Sequence, residues 1–248
     1  MGRPYRSALG GYVYHMLNRG NGRLRIFHKD GDYEAFERIL GEALEHVPGM
    51  RLLAYCLLPN HWHLVVWPRH DGALSDFGRP EDVARPRERP WDWLTLTHTQ
   101  RWHAHSHDVG AGHLYQGRFK SFPVAQDDHF LRVCRYVERN AARAGLVRRA
   151  EGWRWYSLWQ RAQEPRPEKR LLSAWPVVVA EADWVREVNR PQIEAELEVL
   201  RCSVQRGQPY GEELWAERVA RRLGLESTLR PRGRPRKAPA DKGADKGS

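Results

Sequence analysis

Hydrophobic and polar positions alternate from Tyr12 to Asn18, a period of two that predicts a strand, and Gly20-Asn21-Gly22 turns the chain behind it. After Asp32, read as a helix N-cap, Phe36, Ile39, Leu40, Ala43, Leu44 and Val47 recur on one helical face until Pro48-Gly49 ends the pattern. Arg51–Leu58 and His61–Trp67 are two strands joined by a tight Pro59-Asn60 turn. Strand, helix, strand, strand opens an α+β fold: a ferredoxin-like antiparallel sheet with helices on one face.

Residues 68–90, rich in Pro, Arg, Asp and Glu, carry little periodicity and read as an exposed loop. The pattern then predicts a helix over Trp93–His105 and a strand over Leu114–Val124 that contains Gly117. Asp127 or Asp128 caps a helix whose apolar face is Phe130, Leu131, Val133, Cys134 and Val137, ending near Gly145. Beyond a linker at Pro165–Lys169, Ile193, Leu197, Leu200 and Val204 form one helical stripe, and Trp215, Val219 and Leu223 another. These two helices read as a helical hairpin or as a helix-turn-helix. Residues 230–248 lack a core-forming pattern and are expected to be disordered. The chain thus divides into 1–162, a helical extension over 163–229, and a basic tail over 230–248.

Composition narrows the partner. The 248 residues hold 41 Lys+Arg against 31 Asp+Glu, a formal net charge of +10. Such a surplus favours a polyanion. The longest apolar run, Leu52–Leu58, fits a buried strand and not a membrane span, and no signal peptide opens the chain, so a cytoplasmic, nucleoid-associated protein without a membrane partner is expected. Cys56, Cys134 and Cys202 are too scattered for a disulfide framework or a Cys-pair zinc site.

Asn60-His61-Trp62-His63 carries the strongest local chemistry. His61 and His63 share one strand face, about 7 Å apart at Cα, where two imidazoles can close on one metal ion while Trp62, Leu64 and Val66 bury the other face. The alternative is a pair of polar residues on the solvated side of a hairpin. A second signal is Arg135-Tyr136-Val137-Glu138-Arg139-Asn140. Tyr136 and Asn140 are one helical turn apart, with Arg132 and Arg143 on either side. A tyrosine hydroxyl attacks phosphorus only when a cation makes the phosphate electrophilic. A metal on His61 and His63, with the Asn140 amide oxygen as third ligand, meets that need; otherwise Tyr136 is an amphipathic residue at a helix–sheet contact. Third, His113–Ser121 interleaves aromatic and basic groups, with Arg118 and Lys120 suited to phosphates and aromatic faces suited to unpaired bases.

Asn60-His61-Trp62-His63, Tyr115-Gln116-Gly117-Arg118-Phe119-Lys120-Ser121, and Tyr136 through Arg143-Ala144-Gly145-Leu146-Val147 occur in the order and spacing of a known family, and Tyr14-His15 through Asn18-Arg19-Gly20 is similar too. Together they resemble the REP-associated tyrosine transposases, a branch of the single-tyrosine transposases with a His-hydrophobe-His motif. The resemblance spans roughly residues 10–160. It implies a metal-dependent endonuclease and strand transferase acting on single-stranded DNA with hairpins, such as repetitive extragenic palindromes. Tyr136 would form a 5′-phosphotyrosine and release a 3′ hydroxyl. His61, His63 and Asn140 would hold Mg2+ or Mn2+, and Arg19, Arg118, Lys120, Arg132 and Arg143 would contact DNA. Two departures stand out: Ala141 replaces the usual proline after Asn140, so the helix is free to continue, and residues 76–92 look like an insertion.

Arg230-Pro231-Arg232-Gly233-Arg234-Pro235-Arg236-Lys237 resembles an AT-hook, which would lay Arg232, Arg234 and Arg236 into the minor groove of duplex DNA; the alternative is a plain basic tail. His98, His103, His105 and His107 are scattered by helical spacing and read as a solvated face. Tyr115 and Tyr156 are the rival nucleophiles. A rival from another class is a catalytically silent DNA- or RNA-binding regulator that uses the same basic face. The distance between Tyr136 and the His61/His63 face discriminates between these readings.

Overall fold

The computed structural model describes residues 9–76, 93–106, 112–163 and 171–230. The expected linker at 165–169, the tail from 231 with Arg232, Arg234 and Arg236, and the 76–92 insertion beyond Asp76 lie outside the described residues.

Four strands, β1 (Val13–Arg19), β2 (Met50–Leu58), β3 (His61–Pro68) and β4 (Lys120–Val124), form one antiparallel sheet in the order β2-β3-β1-β4. The helices are α1 (Asp30–His46), α2 (Ala73–Asp76), α3 (Trp93–Ser106), α4 (Asp128–Glu138), α5 (Asn140–Arg143), α6 (Ser157–Ala162), α7 (Glu181–Asn189), α8 (Glu194–Arg206), α9 (Glu213–Leu223) and α10 (Glu226–Leu229). The order and direction of the strands are those of the expected ferredoxin-like sheet.

Helices cover both faces, where the sequence led to one. Alternation along β3 sends Trp62, Leu64 and Val66 into a first core with Phe36, Ile39 and Leu40 of α1 and Leu94 of α3. Val65 joins a second core with Val133 and Val137 of α4, Trp184 and Val188 of α7, and Leu197 and Leu200 of α8. A bulge between Leu52 and Ala54 breaks the alternation in β2: Leu52 enters the first core, whereas Leu53 and Ala54 both enter the second. The second layer escapes the sequence because the apolar faces of α4 and α8, though legible, do not say which side of the sheet they cover, and α7 carries no assigned pattern.

Local chemistry explains the boundaries. Lys29, not Asp32, is the N-cap of α1; Asp32 sits at the third helical position and accepts from the backbone N–H groups of His28 (2.7 Å) and Lys29 (3.1 Å). Asp127 caps α4 by accepting from His129 N–H at 2.8 Å. The strand expected over Leu114–Val124 shortens to five residues, because Leu114 and Tyr115 turn into the first core and Gly117 adopts φ 144°. Pro123 sits on edge strand β4 with its carbonyl pointing outward to accept from Tyr210 N–H at 2.9 Å, so its missing N–H leaves no ladder bond unmade. The helix from Asp127 does not run unbroken to Gly145. It bends at Arg139 (φ −81°, ψ −4°) without any proline, and Arg139 donates to the Val188 (3.1 Å) and Asn189 (2.6 Å) carbonyls at the end of α7. In the C-terminal stripes, Leu197 and Leu200 are buried, but Ile193 is 70% exposed as the N-cap of α8. No helix among the described residues is long and apolar enough to cross a membrane.

Candidate active site

Strand geometry puts His61 and His63 on the second face, with ring centroids 5.1 Å apart. Register adds three more residues there: Arg19 lies opposite His61, Leu17 opposite His63, and His15 opposite Val65. His15 escapes sequence reasoning because it reaches this face only through pairing of β1 with β3. The alternation in Tyr12–Asn18 puts His15 on the face of Leu17, but no sequence signal sets the register.

These imidazoles are neutral and oriented. Burial, aided by Arg19 and Arg143, pushes the His61 pKa down to about 3. Burial alone pushes His15 down to about 3, and burial with the neighbouring His61 and His15 holds His63 well below the usual histidine range. His61 Nδ1 lies 2.6 Å from Asn60 Oδ1; an amide oxygen only accepts, so Nδ1 carries the proton and Nε2 keeps a lone pair. His63 Nδ1 lies 2.9 Å from His15 Nε2. If His63 donates that hydrogen bond, its Nε2 is left as a second lone pair, in the manner of an outer residue fixing a ligand's tautomer. His15 Nδ1 is then a buried N–H without a partner, and that atom is indeed unpaired.

The last turn of α4 brings Tyr136 onto this group. Its ring meets His63 edge-on at 5.8 Å and His15 at 6.2 Å between centroids. The Arg143 guanidinium carbon lies 4.2 Å from the centroid of the Tyr136 ring. Past the bend, Asn140 is buried with its Nδ2 unpartnered. A half-turn about its terminal bond exchanges nitrogen for oxygen and offers a ligand atom. No group of three or more His, Cys, Asp or Glu side chains placed for a metal ion is found among the described residues, and the Asn140 amide is one of the oxygen-bearing side chains in the cleft that could add a donor to the two imidazoles. Two imidazoles, an amide oxygen and open positions toward solvent are a donor set that fits a divalent ion.

A cleft of about 990 Å³ gathers His61, His63, Tyr136, Asn140, Arg19, Arg118, Lys120 and Arg143. Arg132 stands apart from it: the side chain is exposed and hydrogen-bonds Tyr210. Arg201 and Arg206 of α8, which the sequence did not single out, also line the cleft. Among the described residues that line it there is no Asp or Glu, and there are six cationic side chains.

The rival tyrosines are placed elsewhere. Tyr115 lies in the first core, where its hydroxyl accepts from Trp62 Nε1 at 3.0 Å and contacts His98 Nδ1 at 2.8 Å. Tyr156 is fully buried, and burial raises its pKa far above the usual tyrosine range. His98, expected on a solvated face, is 4% exposed within the first core. His103 and His105 are half-buried and exposed, and His107 lies outside the described residues.

No family model matches the chain, and no curated protein matches it. Among solved structures, it is similar to a REP-associated tyrosine transposase bound to a REP hairpin, with TM-score 0.48 and 15% sequence identity over 73% of this chain and 100% of that one. It is also similar to a crystal structure from Deinococcus radiodurans R1 assigned to the transposases, with TM-score 0.35 and 19% identity over 56% of this chain and 95% of that one.

Proposed function

We propose that this chain is a divalent-metal-dependent nicking and strand-transfer enzyme for hairpin-flanked single-stranded DNA, with Tyr136 as nucleophile. The observation that carries the reading is the convergence of Tyr136, His61, His63 and Asn140 in one cleft whose described lining holds cations and no carboxylate. A tyrosine hydroxyl has many uses, but a cleft whose described lining is cationic favours a phosphate-bearing substrate.

His61 and His63, with Asn140, would hold the ion, which supplies charge that makes a phosphodiester phosphorus electrophilic and screens its oxygens. Imidazole nitrogens alone favour zinc; Mg2+ or Mn2+ requires that an oxygen-rich remainder of the shell come from substrate phosphate and water. Tyr136 attacks phosphorus through its hydroxyl oxygen. The bond from phosphorus to the 3′ oxygen breaks, the phenolic proton is lost, and the departing 3′ oxygen takes up one proton. The product is a 5′-phosphotyrosine and a free 3′ hydroxyl. Because the phosphoester is retained, attack by another 3′ hydroxyl reverses the step without ATP. Arg143, over the Tyr136 ring, stabilises negative charge as it develops on the phosphate and phenol oxygens. Arg118 and Lys120, at the entry to β4, hold flanking phosphates.

The test is a labelled single strand carrying a hairpin, incubated with Mg2+ or Mn2+ and resolved on a denaturing gel. A slow-migrating covalent protein–DNA band that is absent from Tyr136→Phe and from EDTA-treated reactions supports the proposal. Full cleavage in EDTA overturns it. The second reading, a catalytically silent DNA- or RNA-binding regulator, draws on the same six lining cations, which bind phosphate with or without chemistry. Tight binding with no covalent band under any divalent ion decides for it.

A further inference from the structure

The C-terminal helices reach the cleft. α8 buries Leu197 and Leu200 in the second core, and the next turns present Arg201, Val204, Gln205 and Arg206 to the cleft lining. The helix is fixed in that position. Gly207, at φ 73°, closes it with a left-handed cap whose N–H reaches Ser203 O at 2.8 Å. Three residues on, Tyr210 N–H donates to Pro123 O and Ala125 N–H to Tyr210 O, each at 2.9 Å, which ties the end of α8 to edge strand β4. That strand begins at Lys120, itself a lining residue.

The charges at this wall are available. Arg201 pairs with Glu194, with both side chains near half exposed (45% and 65%), a pairing that contributes little and gives way readily to a phosphate. Arg206 makes no ion pair among the described residues and is half-buried at the end of α8. Among the described residues the cleft lining holds six cationic side chains and no acid; Glu194 offsets Arg201 in part, the others repel one another in the free protein, and a polyanion relieves that repulsion.

We infer that α8 is a wall of the strand-binding groove, with Arg201 and Arg206 each holding one phosphate of the unpaired strand that passes Tyr136. This rests on the single-strand reading of the site. It makes residues 171–230 part of substrate recognition, beyond their role as a packing layer.

The experiment measures anisotropy of a labelled hairpin with a single-stranded flank, and of a plain duplex, in EDTA over a series of salt concentrations. Three full-length proteins are compared: the unmodified chain, R201Q/R206Q, and the charge-matched control R218Q/R221Q, whose residues are exposed on α9 and outside the cleft lining. Each single-strand phosphate contact contributes about 0.7 to the log–log salt slope, so R201Q/R206Q flattens it by about 1.4 while the control leaves it unchanged. Equal flattening in both double variants reduces the effect to bulk charge and overturns the inference, as does an unmodified slope in R201Q/R206Q. A loss confined to the duplex overturns the single-strand placement. Absence of salt-dependent binding by the unmodified chain sinks the underlying reading as well, whereas binding with an unchanged slope in R201Q/R206Q sinks only the role of α8.

Discussion

Toward α1 and α3, β3 sends Trp62, Leu64 and Val66 into a closed apolar layer; toward α4 it sends His61 and His63 into a cationic cleft. Each face pairs histidine with tyrosine. On the closed face the Tyr115 hydroxyl accepts from Trp62, whose indole only donates, and so gives its own proton to His98 Nδ1. That chain lies within the buried core. On the open face Tyr136 packs edge-on against His63 and His15 under Arg143, beside an unpaired Asn140 amide nitrogen and an unpaired His15 nitrogen. Residue type therefore does not distinguish the packed face from the proposed site. What separates them is that one face leaves buried polar atoms unpaired beside a cleft.

The sharpest way to break this contrast is to exchange the tyrosines' fates. Tyr136→Phe is expected to remove the covalent DNA band entirely, while Tyr115→Phe keeps it; a band that persists in Tyr136→Phe ends the distinction. Next in size, His61→Ala is expected to abolish the response of cleavage to divalent ions with little change in melting, since His61 lies half-buried at the rim. Titration of cleavage against Mn2+, alongside thermal unfolding, checks both halves. His98→Ala should do the reverse: loss of roughly 2–4 kcal/mol of stability from a cavity and an unpaired Tyr115 hydroxyl, with ion dependence retained.

Acid sharpens the closed face further. Burial lowers the His98 pKa from 6.5 to about 3. Between those values the unfolded chain binds the proton and the folded chain does not, so this contribution is complete above 6.5 and is lost as pH falls toward 3. Urea unfolding across that range should show a loss on the order of a few kcal/mol, shallower in His98→Gln. A parallel pH dependence in both proteins would remove His98 from the account. The smallest effect expected is on Tyr115→Phe and His63→Ala, each costing roughly 1–3 kcal/mol by urea unfolding because each strands a buried partner. His63 differs in this from His61, its neighbour on the same strand face. It is 3% exposed and hydrogen-bonded to His15, so its removal carries a structural cost that His61→Ala does not share.

Much of this arrangement is legible in residue order. Alternation across His61–Trp67 separates His63 from Trp62, and the i, i+4 spacing pairs Tyr136 with Asn140 even though the helix bends between them at Arg139. The bend itself is not legible, because Ala141 lacks the proline that would announce it. Arg139 is held there by carbonyls some fifty positions away in the sequence, at Val188 and Asn189.

From sequence alone come the strand–helix–strand–strand order, the face shared by His61 and His63, the one-turn spacing of Tyr136 and Asn140, and the surplus of positive charge. These follow from local periodicity and net charge, which need no knowledge of what packs where. Tertiary structure decided the rest. It set the β1–β3 register that seats His15 against His63, the burial that turns His98 into a core residue, and the docking of α8 that adds Arg201 and Arg206 to the cleft. Each of these depends on contacts between residues far apart in the chain, formed by cross-strand hydrogen bonding and by closure of two cores on opposite faces of one sheet, and no spacing within a single segment encodes them.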